Sequence, residues 1–218
     1  MNLNLPNAIT LSRILMIPLF LWILSPYFSW HDVSGSQELA ASLLFILASI
    51  TDGVDGYLAR KRGQITTMGI LLDPLADKIM VTAAFIQLVA YNSEVVKVWI
   101  AVVIIGREFL ISGLRSIAAS EGFTIQASDL GKLKTVIQIV AVVSAILAHR
   151  WFQWEFGPVI IPVKWTAITA IYFATLVSII SAVDYFIGFW KKIDHAAADR
   201  RKSLIMARKG GRSISPAE

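Results

Sequence analysis

Polar residues are sparse along this chain, and where they cluster they divide it into long apolar runs. Runs and breakers together predict six helices, over residues 8–28, 39–60, 67–91, 95–117, 131–150 and 165–190. The first opens after Pro6-Asn7 and loses its pattern at Ser25-Pro26, and the polar and aromatic stretch from Trp151 to Pro158 closes the fifth. About 20 apolar residues suffice to cross the hydrocarbon core of a bilayer, and each run reaches that length. No internal repeat or low-complexity segment stands out. The expected organisation is one helical domain over residues 1–190 and a tail over residues 191–218.

Composition turns these helices into membrane spans. Of 218 residues, 56% are hydrophobic and 16% charged, with a mean hydropathy of +0.66. A soluble domain carries about 45–50% apolar and about 25% charged residues. The excess is too large for one core of this size, which excludes a soluble enzyme, a disordered chain and a disulfide scaffold. The expected fold is therefore all-α and integral to the membrane, with six transmembrane helices. Cysteine is absent, which removes disulfides, thiolate nucleophiles and zinc-thiolate sites. His31, His149 and His195 lack metal-ligand spacing. The N-terminus has no basic segment before its apolar run, carries Arg13 inside it, and shows no cleavage site after it. The first helix is expected to be retained.

Basic residues set the orientation. Arg60, Lys61 and Arg62 lie between helices 2 and 3, and Arg115, Lys132 and Lys134 flank the link between helices 4 and 5. No Lys or Arg separates helices 1 and 2, and only Lys97 separates helices 3 and 4. The tail holds eight basic residues against three acids, a net +5 equal to that of the whole chain. Both termini and the basic loops are thus expected on the cytoplasmic side, the tail lying on anionic lipid. A nucleic-acid partner is not expected, because the tail follows a membrane helix directly. The missing Arg-rich transit segment points to a bacterial plasma membrane. Trp30, Trp99, Trp151, Trp154, Trp165 and Trp190 fall at predicted helix ends, as an interfacial belt requires.

Four acids break the apolar pattern. Asp52 and Asp55 end helix 2, and Asp73 and Asp77 begin helix 3. An Asp at a helix centre costs about 2.5–3.5 kcal/mol on insertion scales. Helical spacing puts Asp52, Asp55 and Ala59 on one stripe and Gly69, Asp73 and Asp77 on another. Across an antiparallel hairpin the stripes can face each other. Four carboxylates so gathered cannot all stay ionised unaided. Hard divalent cations such as Mg²⁺, Mn²⁺ or Ca²⁺ would resolve the repulsion. Pairing with Arg60, Lys61, Arg62 and Lys78, or a proton or ion pathway, are the competing readings. Gly53, Gly56 and Gly69 remove side chains where a ligand could approach the helices.

The pattern Asp52-x-x-Asp55-Gly56-x-x-Ala59-Arg60, then Gly69-x-x-x-Asp73-x-x-x-Asp77, resembles the signature of the CDP-alcohol phosphatidyltransferase family, and the six-helix count agrees. The resemblance implies a centre of two Mg²⁺ or Mn²⁺ ions held by Asp52, Asp55 and Asp73 with Asp77 beside them. It implies Asp77 as the general base for an acceptor hydroxyl. Gly56, Ala59 and Gly69 would make room for cytidine, and Arg60 would orient the aspartates or the nucleotide. A homodimer is implied too, although no small-xxx-small stripe marks its interface. The chemistry agrees: transfer is an in-line displacement at phosphorus, in which paired metals stabilise the attacking and leaving oxygens.

Further polar residues bear on the acceptor. Asn7-x-x-Thr10-x-x-Arg13 opens helix 1, helix 4 contains Gly106-Arg107-Glu108-Phe109 and Ser112-Gly113-Leu114-Arg115, and helix 5 begins Gly131-Lys132-x-Lys134-Thr135. Glu108, Ser112 and Arg115 share a face by spacing. Arg107 needs an anionic partner; Glu108 projects at another angle, so the expected partner is another helix or a ligand. Arg13 and the lysines can also be read as snorkelling positive-inside markers. Together Thr10, Arg13, Arg107, Arg115, Lys132 and Lys134 form a candidate pocket for an acceptor carrying a phosphate. These strings are similar to the branch of the family that makes phosphatidylglycerol phosphate, which implies CDP-diacylglycerol as donor and sn-glycerol 3-phosphate as acceptor. Cardiolipin- or phosphatidylinositol-phosphate-forming relatives stay open. So does a small transporter, although transporters show repeats and midplane sites, and these acids sit toward one face.

Overall fold

A computed structural model describes the backbone of residues 5–28, 35–62, 67–121 and 129–210. It describes the side chains of residues 8–28, 35–51, 75, 76, 78–121, 134–155, 157, 158 and 160–193. The described residues form a bundle of six helices: α1 (Leu5–Ile23), α2 (Ser36–Arg62), α3 (Thr67–Tyr91), α4 (Val98–Ser120), α5 (Asp129–Arg150) and α6 (Val163–Gly210).

The ends of α1, α3 and α5 meet the starts of α2, α4 and α6. Gln37 Nε2 donates to the Ile23 carbonyl at 2.7 Å, and Gln87 Nε2 to the Leu24 carbonyl at 2.9 Å. Asn92 Nδ2 donates to the Ala145 carbonyl at 3.0 Å. Successive helices therefore run antiparallel. One end of the bundle, the hairpin end, is closed by these bonds, of which those of Gln37 and Gln87 cap carbonyls at the end of α1. The opposite end, the aspartate end, gathers the starts of α1, α3 and α5 with the ends of α2 and α4.

Packing is tightest between α5 and α6, while α1 lies against both α2 and α3. Contact between α2 and α3 themselves is slight among the described residues, and α1 packs on both. Small residues (Ala41, Ala48, Ala84, Ala145, Ala167, Ala174) let the helices approach, and Phe20, Phe45 and Phe85 fill the space between them. The Phe20 and Phe45 rings meet at 5.8 Å between centroids.

On α6 and α2 polarity is inverted relative to a soluble bundle. Along α6 the buried stripe Ala167, Ile171, Ala174, Ser178, Ser181 and Tyr185 carries hydroxyls, while Leu176, Ile179, Ile180 and Val183 face outward. Along α2 the buried stripe is Ala41, Phe45 and Ala48, and Leu39, Leu43, Leu47 and Ile50 are exposed. An outer face more apolar than the inner one suits lipid as solvent, where small residues and dispersion hold helices together. Hydroxyls inside the helices turn back on their own carbonyls, as Ser49 does on Phe45 and Thr175 on Ile171, both at 2.8 Å. Among the described residues, Val163–Ile193 is the helix long and apolar enough by itself to cross a membrane, at a mean hydropathy of 2.0. Ala8–Ile23, Ser36–Thr51 and Lys78–Tyr91 are shorter apolar segments.

The observed boundaries depart from the expected ones for local reasons. α1 stops at Ile23 rather than residue 28, because Pro26 lacks an amide donor and disfavours helix in the residue before it. α4 begins at Val98, the buried Val95 and Val96 lying in the preceding turn. α6 does not end at residue 190. It runs through the first twenty residues of the expected tail to Gly210, because Ala, Lys, Arg, Leu and Met dominate that stretch and no breaker precedes the Gly210-Gly211 pair. The stretch after α5 contains a short hairpin that the helical reading missed. β1 (Trp154–Phe156) pairs antiparallel with β2 (Val159–Ile161), Trp154 opposite Ile161. Gly157 takes a φ of 61° in the two-residue turn, a conformation that glycine supplies without strain.

Gly35 has the sharper constraint. Its φ is 76°, and a Cβ there would lie 2.3 Å from the Trp151 ring. Gly35→Ala is expected to destabilise the bundle by about 1–3 kcal/mol through overpacking, read as a lowered midpoint of thermal unfolding in detergent. An unchanged midpoint would mean that Trp151 yields freely. At the same end Lys164 donates to the exposed Glu94. This hydrogen bond, then the lysine charge, hold the Glu94 carboxyl below its ordinary value. The contribution is complete above the unfolded-state carboxylate pKa and is lost as pH falls through the lower folded value. Lys164→Gln should raise the Glu94 midpoint toward the ordinary value in a carbon-detected NMR titration.

Candidate functional site

The aspartate end is built from the last turns of α2, the first turns of α3 and the neighbouring parts of α1, α4, α5 and α6. Asp52, Asp55, Gly56, Ala59 and Arg60 are helical positions near the end of α2, and Gly69, Asp73 and Asp77 near the start of α3. The backbone thus brings both halves of the acidic motif to one end of the bundle. The side chains of these residues, and that of Lys132, lie outside the described residues. Among the described residues, no group of three or more His, Cys, Asp or Glu side chains could hold a metal ion.

Several predicted pocket residues are described. Thr10 and Arg13, one turn apart on α1, are each only 1% exposed. A guanidinium this deep does not snorkel to an interface, so the positive-inside reading of Arg13 fails.

Arg107 and Lys134 converge. The Arg107 side chain is 10% exposed and that of Lys134 7%, and both donate to the same carboxylate oxygen, Oε1 of Glu108. Arg107 reaches it through Nη1 at 2.8 Å, and its Nη2 donates to Ser181 Oγ at 3.1 Å. This corrects the expectation that Arg107 avoids Glu108. The two Cβ atoms diverge around α4, but both arms are long enough to curl back and close the pair. Leaving a buried charge without its partner costs far more than leaving an exposed one, so the three groups are held together.

Around this cluster, Lys78 and Arg115 lie within electrostatic range of the Glu108 carboxylate. Arg115 is exposed, with its guanidinium 5.6 Å from the centroid of the Tyr185 ring, a cation–π contact. Ser112 does not join the polar face expected from its spacing; its hydroxyl turns back to the Glu108 carbonyl at 2.9 Å. Four residues went unread in the sequence: Lys78 as a neighbour of Glu108, Ser181 and Tyr185 as partners from α6, and Gln138, buried on α5 one turn after Lys134. The signal for the α6 pair was present, since Ser178, Ser181 and Tyr185 repeat at helical spacing in an otherwise apolar helix.

A cavity of ≈ 540 Å³ opens at the other end, lined by Gln37, Glu38, Gln87, Tyr91, His149 and Arg150 among others. Its polar groups are engaged with one another and with helix ends. Tyr91 donates to Glu38 at 3.0 Å and stacks on His149 at 4.0 Å, while Gln37 and Gln87 cap carbonyls. It closes the bundle and lies far from the acidic motif.

Comparison with known proteins agrees with the motif. The family described as CDP-alcohol phosphatidyltransferase matches residues 3–190. A Bacillus subtilis (strain 168) protein named CDP-diacylglycerol–glycerol-3-phosphate 3-phosphatidyltransferase is 42% identical over 196 residues, covering 87% of this chain and 97% of its own. A Rickettsia bellii protein of the same name is 37% identical over 84% of this chain and 93% of its own. One from Wigglesworthia glossinidia brevipalpis is 33% identical over 88% and 98%. The chain belongs to the CDP-alcohol phosphatidyltransferase family.

Proposed function

We infer that this chain transfers the phosphatidyl group of CDP-diacylglycerol to sn-glycerol 3-phosphate, releasing CMP and forming phosphatidylglycerol phosphate. The observation that carries this reading is the meeting of two motif halves at one end of the bundle. Asp52-x-x-Asp55-Gly56-x-x-Ala59-Arg60 ends α2, and Gly69-x-x-x-Asp73-x-x-x-Asp77 begins α3. Relatives matched over nearly their whole length carry the name of that reaction.

The donor set of the motif is all carboxylate oxygen, and the chain has no cysteine. It fits a hard divalent cation, Mg²⁺ or Mn²⁺. Asp52, Asp55, Asp73 and Asp77 would hold two such ions, which supply charge neutralisation at the diphosphate and stabilise the attacking and leaving oxygens. The chain's own residues do the positioning. Gly56, Ala59 and Gly69 leave space beside the helices for cytidine, and Arg60 orients the nucleotide or the aspartates. Asp77 takes the proton from the primary hydroxyl of the acceptor as that oxygen attacks the phosphorus bearing the diacylglycerol. The bond from this phosphorus to the CMP oxygen breaks, and the electron pair leaves with CMP. The acceptor phosphate is met by Thr10, Arg13, Arg107, Arg115, Lys132 and Lys134. The buried convergence of Arg107 and Lys134 supports this part of the reading.

The same reading has six helices crossing a bacterial inner membrane with both termini cytoplasmic, as the apolar outer faces and the basic loops support. Residues 1–190 form the membrane domain, and the basic segment from Lys191 lies along the anionic leaflet. The protein acts as a homodimer, on the strength of the family resemblance.

Purified protein given CDP-diacylglycerol and Mg²⁺ should release CMP only when sn-glycerol 3-phosphate is added. Release with a different alcohol would keep the reaction class and overturn the acceptor. Asp77→Asn is expected to lower kcat by about 10²–10⁴, the usual span for a general base, while the protein still accumulates folded, since one fewer carboxylate relieves repulsion. Chelation should remove activity, and Mg²⁺ or Mn²⁺ should restore it. Lys134→Gln should raise KM for sn-glycerol 3-phosphate about tenfold or more, as the loss of a charge-assisted bond implies, leaving KM for CDP-diacylglycerol in place.

A further inference from the structure

The glutamate between the two buried cations has no role in the transfer chemistry above. Glu108 is only partly exposed, its side chain at 21%, and a single oxygen accepts from both Arg107 and Lys134. These come from different helices, α4 and α5, and Ser181 of α6 holds the second arm of Arg107. The carboxylate thus ties α4 to α5, and Arg107 in turn ties α4 to α6. Lys78 and Arg115 add positive charge within its electrostatic range.

This geometry is that of an anion site already holding an anion. A carboxylate oxygen receiving an arginine N–H and a lysine N–H uses the donors that a phosphate monoester would use. A dianionic phosphate cannot take up those donors while the Glu108 carboxylate stays on them, because like charges at contact distance repel strongly where water is scarce. We propose that Glu108 is a positioning residue that occupies the acceptor-phosphate site as a tethered stand-in. It keeps Arg107 and Lys134 charged and aligned when the site is empty, and it is displaced from them when a phosphate-bearing acceptor arrives. The proposal rests on the reading of these cations as the acceptor-phosphate site. It deepens that reading by assigning Glu108 control over how tightly the phosphate is held.

The sign of the effect separates a stand-in from a simple neutraliser. Glu108→Gln keeps an oxygen for both cations but removes the competing charge. The KM for sn-glycerol 3-phosphate should then fall by about tenfold or more, since even a carboxylate displaced about 10 Å from the phosphate repels it by more than a factor of about ten at an effective dielectric constant near 20. The kcat should not rise with it, and KM for CDP-diacylglycerol should stay in place. The stabilisation of the protein by inorganic phosphate, read as a thermal shift in detergent, should grow in parallel. A glutamate that merely neutralised buried cations would give an unchanged or raised KM and no larger shift, and that result overturns the proposal. If Glu108→Gln does not accumulate folded, Glu108→Asp carries the test. It keeps the charge but draws the carboxylate back by one methylene, so a smaller fall in KM is expected, and an unchanged or raised KM overturns the proposal. The phosphate arm separates two failures. If sn-glycerol 3-phosphate proves not to be the acceptor, a larger phosphate shift in Glu108→Gln still upholds the stand-in, and an unaltered shift removes it.

Discussion

Charge buried in an apolar bundle has to be neutralised where it stands, because neither lipid nor tightly packed helices can solvate it. On α2 and α6 the outward faces are more apolar than the inward ones, and Arg13, Arg107 and Lys134 are held inside the bundle. The pairing of Arg107 and Lys134 through Glu108 follows from that confinement. Without the carboxylate, two cations from α4 and α5 would stand together with their charges unbalanced. With it, α4 and α5 are drawn together at the level of the acidic motif, and Ser181 adds α6.

The two ends of the bundle deal with polarity differently. At the hairpin end, Gln37, Gln87 and Asn92 satisfy helix carbonyls, Tyr91 satisfies Glu38, and the turn at Gly35 closes against Trp151. These groups are neutral or locally balanced, and they close the bundle. At the aspartate end, Arg107 and Lys134 meet at Glu108 with Lys78 and Arg115 within electrostatic range, and the motif positions of α2 and α3 lie at the same end of the bundle. A site for a diphosphate donor and a phosphate-bearing acceptor needs both signs of charge close together. Balanced caps at one end leave the other free to be shaped by ligands.

Positioning does much of the work in phosphoryl-type transfer, since there is little covalent chemistry for the protein to perform. A rigid cradle of helices suits that requirement. Small residues at the interfaces, Ala41, Ala48, Ala145 and Ala174 among them, bring backbones close enough that side chains near the helix ends are held in register. The long reach of α6 past Trp190 has a separate origin. It follows from local helix propensity in a basic stretch.

Much of this was legible in the residues alone. Apolar run length and breakers determined six helices, most of their ends to within about five residues and the end of α6 twenty residues short, because hydrophobic periodicity and proline act locally. The acidic motif with its glycines identified the family, since residue types at fixed offsets on two adjoining helices follow from linear order. What required the tertiary structure was every relation between helices distant in sequence. Spacing assigned Arg107 away from Glu108, yet the folded chain pairs them, because side-chain reach and a lysine 26 residues later, not the Cβ direction, decide a buried ion pair. The packing of α1 on both α2 and α3 is likewise a relation that spacing alone does not give. Ser181 and Tyr185 joined the cation cluster only once α6 was laid against α4. Local patterns determine where helices begin and which faces are apolar; which buried charge meets which is decided only when the helices pack.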